Sequence, residues 1–376
     1  MKDQGMKSVQ KNNFAETFHL FYRYDRVSKQ VISDNLGHSL PTITSNLKKL
    51  LNRELIVKDG EFLTQKTGRP AQAYKLNESA FTSLGMELFG NYITIISLNA
   101  RGELSAKERI DIIFENTDTY YKKITDELKK FVDSKKLDID RIVGLGIGIQ
   151  GLVSDDQRRV VYSKILPMAD LTTAAFQKYL PFPVTFLHDA DAVALAEQHA
   201  SKRTEDAIYL SIGEHLGTAM MVDGKIYNGA RGRSGTMEHI TIAMDDNRLC
   251  YCGRHGCIET YVAISTLIDA SKETLTSFFD LIHSDDSDAL RRWHHYLNNV
   301  AEAIVNLHMF ADSPIILAGE ITNYLTEKTI GYLEKRISQI SAFPEEKNYL
   351  ELGEVHTNPV AFGAALPLVQ RFIEEI

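Results

Sequence analysis

Residues 207–227 read AIYLSIGEHLGTAMMVDGKIY, three apolar runs that are separated first by a glycine-containing turn and then by an Asp-Gly turn. Apolar runs bounded by turn residues predict β-strands. A similar order of strand, turn and strand occurs about 120 residues earlier, over residues 84–113. Two such units, each followed by helical and mixed sequence, predict a duplicated α/β fold with a ligand-binding cleft between its halves.

Two further segments predict strands that end at this cleft. Residues 142–151 alternate glycine with branched apolar residues, and they lack the helix start and acidic residue that a dinucleotide-binding motif requires. Residues 182–187 predict a short strand that delivers His188 and Asp189 at its carboxyl end. A carboxylate there can accept ligand hydroxyl groups or act as a general base. The alternative is that Asp189 or Asp191 caps the helix that follows.

The first eighty residues predict three helices and a β-hairpin. Apolar and aromatic side chains recur at helical spacing from Phe14 to Tyr24, a second short helix lies between Ser28 and Gly37, and a third runs from about Pro41 to Leu51. Residues 55–63 predict a hairpin with its turn at Asp59-Gly60, and a further strand returns near residues 74–76. This order is that of a winged helix-turn-helix.

The third helix has a core-facing stripe, formed by Ile43, Leu47, Leu50 and Leu51. Its other side carries short hydroxyls and then lysines. Hydroxyls can reach base edges and ammonium groups can meet phosphates, so this side suits a DNA-reading helix, although an ordinary solvated face has the same composition. In the basic loop 64–70, Arg69 is placed to enter a minor groove; the alternative is a flexible linker. The candidate DNA-contacting residues are Ser39, Thr42, Thr44, Ser45, Lys48, Lys49 and Arg69.

The charge of the chain is uneven. The formal net charge is −8, but residues 1–78 hold 13 Lys and Arg against 8 Asp and Glu, so this segment carries +5 and the rest −13. A basic head on an acidic body fits DNA binding by the head alone. No run of about 18 apolar residues occurs, and the N-terminus lacks the apolar stretch of a secretion signal, so we expect a cytoplasmic protein without membrane insertion.

All three cysteines, Cys250, Cys252 and Cys257, fall within eight residues. This clustering suits metal ligation better than a disulfide framework. Zn²⁺ takes four ligands tetrahedrally, and chain reach favours His239 as the fourth. His255 is the alternative histidine, and free cytoplasmic thiols are the alternative to a metal site. Because all four ligands come from the protein, no position remains for an activated water, and we expect one structural zinc per chain.

Taken together, these residues resemble the ROK family of repressors and sugar kinases, in particular its repressors that respond to xylose, glucose or N-acetylglucosamine. The most specific element is Cys250-x-Cys252-Gly253-x-x-Gly256-Cys257-x-Glu259 downstream of His239. The resemblance implies an N-terminal winged helix-turn-helix and a duplicated actin-like body of two α/β lobes, which is sugar-kinase-like and ribonuclease H-like. We expect domains at residues 1–78, 79–190 and 191–376, with the C-terminal helix returning to the first lobe.

The resemblance also implies a set of effector-binding residues. Asp189 matches the acid that contacts sugar hydroxyls and that acts as the base in the kinases, and His188 stands where many members carry Asn. The Glu-x-Gly-His motif of the family reads Thr236-Met237-Glu238-His239 here, so Thr236 replaces the usual sugar-binding glutamate and Glu238 the usual glycine. His239 and Glu259 match residues that touch the ligand. The candidate effector-binding residues are His188, Asp189, Thr236, Glu238, His239 and Glu259.

The kinases of the family share an Asp-x-Gly-Gly-Thr loop that holds the phosphates of ATP. The matching stretch here is about residues 87–91, where we expect bulky Leu88 and Phe89 to obstruct close approach of a phosphate to the backbone. In the second nucleotide-contacting turn, Glu214 is expected to repel phosphate. The resemblance therefore implies a protein that is not an enzyme.

These features predict a sugar-responsive transcriptional repressor of bacterial carbohydrate-utilisation genes. A sugar or sugar phosphate in the interlobe cleft is expected to change the spacing of the DNA-binding heads. We expect a homodimer, or a dimer of dimers, on a near-palindromic operator and hence in the nucleoid. Two alternatives stay open: an ATP-dependent sugar kinase with a DNA-binding head, in which Asp189 would be the base, and a transcription activator.

Overall fold

The first part of the chain forms three helices and a small antiparallel sheet. The computed structural model describes residues 2–62, 70–243, 247–269, 272–344 and 347–376, with side chains from Asn12 onward. The first elements are α1 (Lys2–Arg23), β1 (Val27–Ser28), α2 (Lys29–Leu36), α3 (Leu40–Asn52), β2 (Ile56–Phe62) and β3 (Ala71–Leu76). The strands lie in the order β1-β3-β2, with β3 antiparallel to both neighbours. The predicted winged helix-turn-helix is confirmed.

Local capping sets the bounds of α2 and α3. Ser28 and Ser39 each accept a hydrogen bond from the backbone N–H three residues further on, and Gly37 ends α2 in the left-handed conformation with φ of 66°. α3 is held on α1 by Asn46, whose side-chain amide donates to Thr17 Oγ1 at 3.0 Å. The third helix is therefore anchored by a buried hydrogen bond as well as by its apolar stripe.

The predicted turn at Asp59-Gly60 is wrong. β2 continues through both residues, and its register with β3 shifts there, so they form a bulge within one strand. Gly60 has a φ of 68°, and the Asp59 carboxylate lies 2.6 Å from Arg26 Nε and 3.1 Å from Lys75 Nζ. These ion pairs hold Asp59 against neighbouring elements at a point where the dipeptide by itself favours a chain reversal. Residues 63–69, which connect β2 to β3, lie outside the described residues.

The first lobe of the body is built on a five-stranded sheet. Its elements are β4 (Thr82–Leu88), β5 (Tyr92–Leu98), β6 (Leu104–Asp111), α4 (Asp118–Ser134), β7 (Ile142–Ile149), a small hairpin of β8 (Leu152–Val153) and β9 (Val160–Tyr162), α5 (Ala174–Gln177) and β10 (Val184–His188). Apolar side chains of the sheet pack against α4 and form the core of this lobe.

The second lobe follows the connecting helix α6 (Asp189–Ser201). Its elements are β11 (Ala207–Ile212), β12 (Leu216–Val222), β13 (Lys225–Ile226), α7 (Glu259–Val262), α8 (Ile264–Leu267), α9 (Leu275–His283), α10 (Ser287–Ala311), β14 (Ile315–Ala318), α11 (Glu327–Ile340) and β15 (Leu350–Leu352). The chain closes with α12 (Pro359–Glu375). Among the described residues, no helix combines the length and apolar character that crossing a membrane requires.

Both five-stranded sheets have the same topology. The strand order is β6-β5-β4-β7-β10 in the first lobe and β13-β12-β11-β14-β15 in the second. In each sheet an antiparallel meander of three strands is extended by two parallel strands. The equal order and orientation of five strands confirm the duplicated two-lobed fold.

The C-terminal helix α12 leaves the second lobe and packs on the sheet of the first. A methyl group at Gly363 of α12 would lie 1.7 Å from the carbonyl oxygen of Ala192 in α6. On the sheet side, a methyl group at Gly85 or Gly146 would fall within 2.0 Å of a carbonyl oxygen of α12. Backbone therefore meets backbone on two sides of this helix, which only glycine permits.

The head shares an apolar core with α12. Phe81 packs on Phe372 with ring centroids 4.1 Å apart, and Val369 and Ile376 belong to the same cluster as the buried side chains of α1 and α3. The Tyr22 hydroxyl of α1 also donates to the carbonyl oxygen of Ala100 in the first lobe at 2.9 Å. The position of the head is therefore tied to α12.

We predict that Gly363→Ala destabilises the protein and that Gly331→Ala does not. The first change forces the backbones of α6 and α12 apart, and overpacking of this kind costs about 1–3 kcal/mol. Gly331 of α11 has open space around its Cα, so alanine there is expected to be neutral or to stabilise by up to ~1 kcal/mol. Thermal unfolding midpoints of both variants measure the difference; equal midpoints would contradict the close approach of the two helices.

Candidate functional site

A cavity with about 520 Å³ of empty space, including open solvent, lies between the lobes, at the carboxyl ends of two parallel strands. β7 and β10 pair so that Ile149 faces His188, and the chain leaves both strands at the same edge, as Gln150 and Asp189. The second lobe contributes His215 from the β11–β12 turn. We call this space the interlobe cavity. Its other lining residues are Gly151, Leu152, Tyr162, Ser163, Lys164, Ile165, Leu216, Thr236, Glu238, His239 and Tyr251.

His188 stands between two carboxylates. Its Nε2 lies 3.3 Å from Asp189 Oδ1, and its Nδ1 lies 3.8 Å from Asp191 Oδ1. Burial lowers the pKa of His188, but the contacts with Asp191 and Asp189 outweigh it and raise this pKa to about 9. Burial raises the pKa of Asp189, against the opposing charge of His188. A cationic imidazole beside a carboxyl group offers a ligand hydroxyl both a donor and an acceptor.

Asp189 does not act as the cap of the following helix. α6 begins at Asp189 itself, and the N-cap position belongs to His188, which makes no side-chain hydrogen bond to the helix. Asp189 Oδ1 accepts a hydrogen bond from the Ala190 N–H at 2.9 Å, and the carboxyl group lines the interlobe cavity. The positive end of the helix dipole favours its ionised form.

Thr236 and Glu238 both line the cavity, but they differ in burial and in hydrogen-bond partner. The Thr236 hydroxyl donates to the carbonyl oxygen of Arg233 at 2.8 Å, so it turns towards its own loop. Glu238 is only 5% exposed, and its Oε2 accepts a hydrogen bond from the Thr218 hydroxyl at 2.7 Å. Burial raises the pKa of Glu238 to about 7. The structure thus brings both predicted residues to one wall of the cavity.

Glu259, the remaining predicted effector residue, lies behind this wall. It is 4% exposed and does not line the cavity. Its two carboxylate oxygens accept hydrogen bonds from His215 Nδ1 at 2.8 Å and from the Leu216 N–H at 2.7 Å. Burial lowers the pKa of His215, and the hydrogen bond to Glu259 outweighs that effect and raises it. Glu259 therefore orients His215, which lines the cavity.

The three cysteines and His239 bring their ligand atoms close together. The ligand atoms of His239, Cys250, Cys252 and Cys257 all lie within 4.8 Å of one another, and His255 lies outside the group. The sulfurs of Cys252 and Cys257 are 3.8 Å apart, and Cys250 Sγ is 3.5 Å from His239 Nδ1. Tetrahedral bonds of about 2.3 Å to sulfur place two thiolates about 3.8 Å apart. The four side chains therefore have the spacing of a closed tetrahedral metal site.

His239 belongs to both the metal cluster and the cavity. Its Nδ1 faces Cys250, while its Nε2 lies 3.9 Å from Glu238 Oε1. Burial lowers the pKa of His239, which favours the neutral imidazole that binds metals. Burial also raises the pKa of the Cys250 thiol, so metal binding must displace a proton there. Glu238 is thus the carboxyl group that faces the outer nitrogen of a metal ligand.

Several lining residues escaped prediction from the sequence. Tyr251 lies between two cysteines of the cluster, and its ring packs edge-on against His215 and His239 at centroid distances of 5.3 and 5.0 Å. Gln150 is 8% exposed, and its side chain makes no hydrogen bond to another described residue. Lys164 reaches the cavity from the loop after β9. The position of Tyr251 inside the Cys-x-Cys motif was the one signal that could have found it.

The predicted DNA-contacting residues share one face of α3. Thr44, Ser45, Lys48 and Lys49 are exposed. In the apolar stripe opposite them Ile43, Leu47 and Leu50 are buried, and Leu51 is half-buried. Ser39 is exposed but serves as the N-cap, and its hydroxyl lies 2.9 Å from that of Thr42, which is half-buried. Arg69 lies outside the described residues. The structure thus presents two hydroxyls followed by two ammonium groups on a free helix face.

A larger cleft of about 1350 Å³, here called the adjoining cleft, shares Gln150, Asp189 and His215 with the interlobe cavity. Glu87, Glu214 and Glu320 line it together with Arg109, whose guanidinium packs 3.7 Å from the ring centroid of Tyr92. Burial and the neighbouring Glu214 raise the pKa of Glu320. The cleft is therefore rich in carboxyl groups.

The expected obstruction by Leu88 is wrong. Leu88 is the last residue of β4, and its side chain is fully buried in the core of the first lobe. Alternation along the strand turns the neighbouring Glu87 towards the adjoining cleft, which Phe89 also lines. Any obstruction of the cleft at this strand end therefore comes from Glu87 and Phe89.

The sequence is similar to regulators of the ROK family. A profile of this family matches residues 83–370. A xylose repressor of Caldicellulosiruptor bescii is 27% identical over 66% of this chain and 62% of that protein, and one of Bacillus spizizenii is 24% identical over 93% of this chain and 92% of that protein. The DNA-binding transcriptional dual regulator NagC of Escherichia coli is 24% identical over 84% of this chain and 82% of that protein.

Solved structures show the same fold. A ROK family transcriptional regulator, a homologue of the Escherichia coli MLC protein, superposes with a TM-score of 0.75 at 22% identity and covers 97% of this chain and 96% of its own. A ROK family glucokinase from Streptomyces griseus, solved with glucose and AMPPNP, gives a TM-score of 0.66 at 18% identity, over 77% of this chain and 99% of its own. The fold is thus shared by a regulator and by a kinase.

We predict one tightly bound metal ion per chain, which Cys257→Ser removes. The serine hydroxyl is a poor substitute for a thiolate, and three remaining ligands hold a metal weakly. His255→Ala is the matched control, because His255 lies in the same loop but outside the cluster. Elemental analysis of the purified variants measures metal content; a metal-free wild type, or loss of the metal in His255→Ala alone, would contradict the assignment.

Proposed function

The chain belongs to the ROK family, and we propose that it is a sugar-responsive DNA-binding repressor of carbohydrate-utilisation genes. The observation that carries this proposal is that one chain contains two features. The first is a winged helix-turn-helix whose third helix has an exposed face of hydroxyl and lysine side chains, and the second is a body with a polar interlobe cavity. The names of the relatives, two xylose repressors and NagC, support the same function. So does the fold of a ROK regulator over the whole chain.

The exposed face of α3 supplies the DNA contacts. Thr44 and Ser45 lie near the beginning of the helix, where side chains of a recognition helix reach base edges. Lys48 and Lys49 lie one turn further on, where ammonium groups meet phosphates. Ser39 and Thr42 support these contacts by capping the helix, and Arg69 extends them into the adjacent minor groove.

The interlobe cavity binds the effector. Asp189, His188 and Glu238 offer acceptors and donors for sugar hydroxyls, and Tyr251 offers an aromatic face to an apolar side of a sugar ring. Glu259 acts through His215, which it orients. Lys164 lies at the exposed side of the cavity, where a phosphate on the sugar would meet a cation. The effector is accordingly a sugar or a sugar phosphate.

The metal in the His239 cluster is a structural zinc. Three thiolates and one imidazole are ligands that Zn²⁺ prefers, and four protein ligands leave no position for a reacting water. The ion would hold the loop of residues 250–257 against His239, and this loop carries Tyr251. Zinc therefore shapes one wall of the effector cavity without taking part in chemistry.

Repression requires two heads at a fixed spacing. A homodimer, alone or as a dimer of dimers, places two copies of α3 on the halves of a near-palindromic operator. Each head shares its core with α12, and α12 packs on α6, which begins at Asp189. A sugar with unequal affinity for two arrangements of these helices would change the spacing of the heads and release the operator.

The protein does not act as a kinase in this proposal. Glu87, Glu214 and Glu320 in the adjoining cleft would repel the phosphates of ATP, although the fold is also that of a glucokinase and Asp189 occupies the position of a base. Activation of transcription is the second candidate function, because NagC is named as a dual regulator. The kinase alternative is separated from the proposed function by the ATP assay below.

We predict that Lys48→Ala/Lys49→Ala weakens operator binding about tenfold or more and lowers the salt dependence of binding. Each lost phosphate contact reduces the slope of log K against log[salt] by about 0.9, so the slope should fall by up to about 2. The measurement is a titration at several salt concentrations, with a DNA duplex that the wild-type protein selects from a random pool. Lys129→Ala/Lys130→Ala on α4 of the first lobe is the matched control. Equal affinity and slope in both double variants would refute the role of α3.

We predict that Asp189→Asn weakens sugar binding roughly 10- to 100-fold, since a hydrogen bond to a charged group contributes about 1.5–3 kcal/mol. Calorimetric titration with a panel of sugars and sugar phosphates measures this change. Release of the bound DNA duplex by the same sugar should be lost in the variant. Incubation of the wild type with ATP and these sugars should form no ADP; sugar phosphorylation that Asp189→Asn abolishes would establish the kinase instead.

A further inference from the structure

A second cavity, with about 490 Å³ of empty space that includes open solvent, lies beside the interlobe cavity. It is formed where the β8–β9 hairpin of the first lobe meets the loop of residues 228–236 of the second. A methyl group at Gly232 would lie 3.5 Å from the carbonyl oxygen of Val153, so the two lobes approach closely there. Both lobes thus contribute side chains to this space, as they do to the interlobe cavity.

The two cavities are separated by no more than one layer of side chains. Leu152, His188 and Thr236 line both of them. His188 faces Asp189 of the interlobe cavity with Nε2 and Asp191 of the second cavity with Nδ1. Thr236 at this boundary has a small side chain. Its hydroxyl donates a hydrogen bond to the carbonyl oxygen of Arg233 and so turns towards its own loop. The two cavities therefore adjoin at Thr236, which is the boundary that a ligand occupying both would cross.

The second cavity is lined by groups that bind hydroxyls. Asp155, Asp191, Asn228 and Ser234 line it, and the side chains of Asp155 and Asn228 make no hydrogen bond to another described residue. None of the described residues that line it is lysine or arginine. The two carboxyl groups outnumber the one cationic imidazole, that of His188, so the lining disfavours a phosphate and accepts hydrogen bonds from a neutral polyol.

From this lining and from the shared wall we infer that the effector is a disaccharide or glycoside, with one sugar ring in the interlobe cavity and a second, uncharged ring in the second cavity. The inference rests on the proposed sugar-binding function and adds the size and charge class of the ligand. Asp155 and Asn228 are the residues that recognise the second ring. A phosphate, where the effector carries one, belongs at Lys164 on the first ring.

Calorimetric titration of the full-length protein tests the inference in two steps. The first step finds which monosaccharide binds best among glucose, galactose, mannose, xylose, fructose and N-acetylglucosamine. The second compares it with commercially available disaccharides that contain it. We expect at least one disaccharide to bind about tenfold or more tightly than its monosaccharide, since each hydrogen bond to a charged group is worth about that factor.

Variants then locate the second ring. Asp155→Ala and Asn228→Ala should each lower the ratio of disaccharide to monosaccharide affinity, Asp155→Ala by about tenfold because it removes a hydrogen bond to a charged group. Asp133→Ala, an exposed aspartate on α4, is the matched control and should keep the wild-type ratio. Unfolding midpoints without ligand show whether a variant has lost its fold. If one variant does not fold, the other still tests the inference.

The possible failures are distinguishable. Monosaccharide binding with no gain for any disaccharide, or a gain that survives in both variants, would overturn the two-ring inference and leave the proposed function standing. A monosaccharide phosphate that loses affinity in Asn228→Ala would assign the second cavity to phosphate and also overturn it. Absence of binding by every carbohydrate would refute the sugar-responsive function itself.

Discussion

The close backbone contact between α6 and α12 is the constraint on which the arrangement of the sites depends. Gly363 permits α12 to meet the carbonyl of Ala192, and glycines in β4 and β7 permit the same helix to lie directly on the first sheet. α6 begins at Asp189 in the interlobe cavity, and α12 ends inside the core of the head. Because no side chain separates the two helices at Gly363, the interlobe cavity and the head are connected through close-packed backbone.

The cluster of His239 and the three cysteines shares a residue with the interlobe cavity. His239 faces the cysteines with Nδ1 and Glu238 with Nε2, so a carboxyl group of the cavity wall lies behind a metal ligand. Tyr251 is carried by the same loop and packs against His215, which Glu259 orients from behind. An ion bound by these four side chains would therefore stabilise the cavity wall as well as the loop, since both depend on the same imidazole.

The fold itself does not separate a regulator from a kinase, because solved structures of both kinds share it. The difference lies in particular side chains. The adjoining cleft has an acidic lining, formed by Glu87, Glu214 and Glu320. The small Thr236, whose hydroxyl turns towards its own loop, lies at the boundary of a second polar cavity. In the proposed function these side chains serve recognition of a carbohydrate rather than transfer of a phosphoryl group.

The sequence by itself determined the features that depend on local interactions. Ser28 and Gly37 mark helix ends because a cap needs only its own neighbours. The repeated strand units predicted the duplicated sheets, and the spacing of three cysteines predicted a cluster that could hold a metal. Tertiary structure alone decided the bulge at Asp59, the burial of Leu88 and the position of Glu259 behind His215. It also decided the second cavity, to which Asp155 and Asn228 come from different lobes. In each of these cases the deciding contact joins residues far apart in the chain, and neither periodicity nor short-range spacing carries information about such a contact.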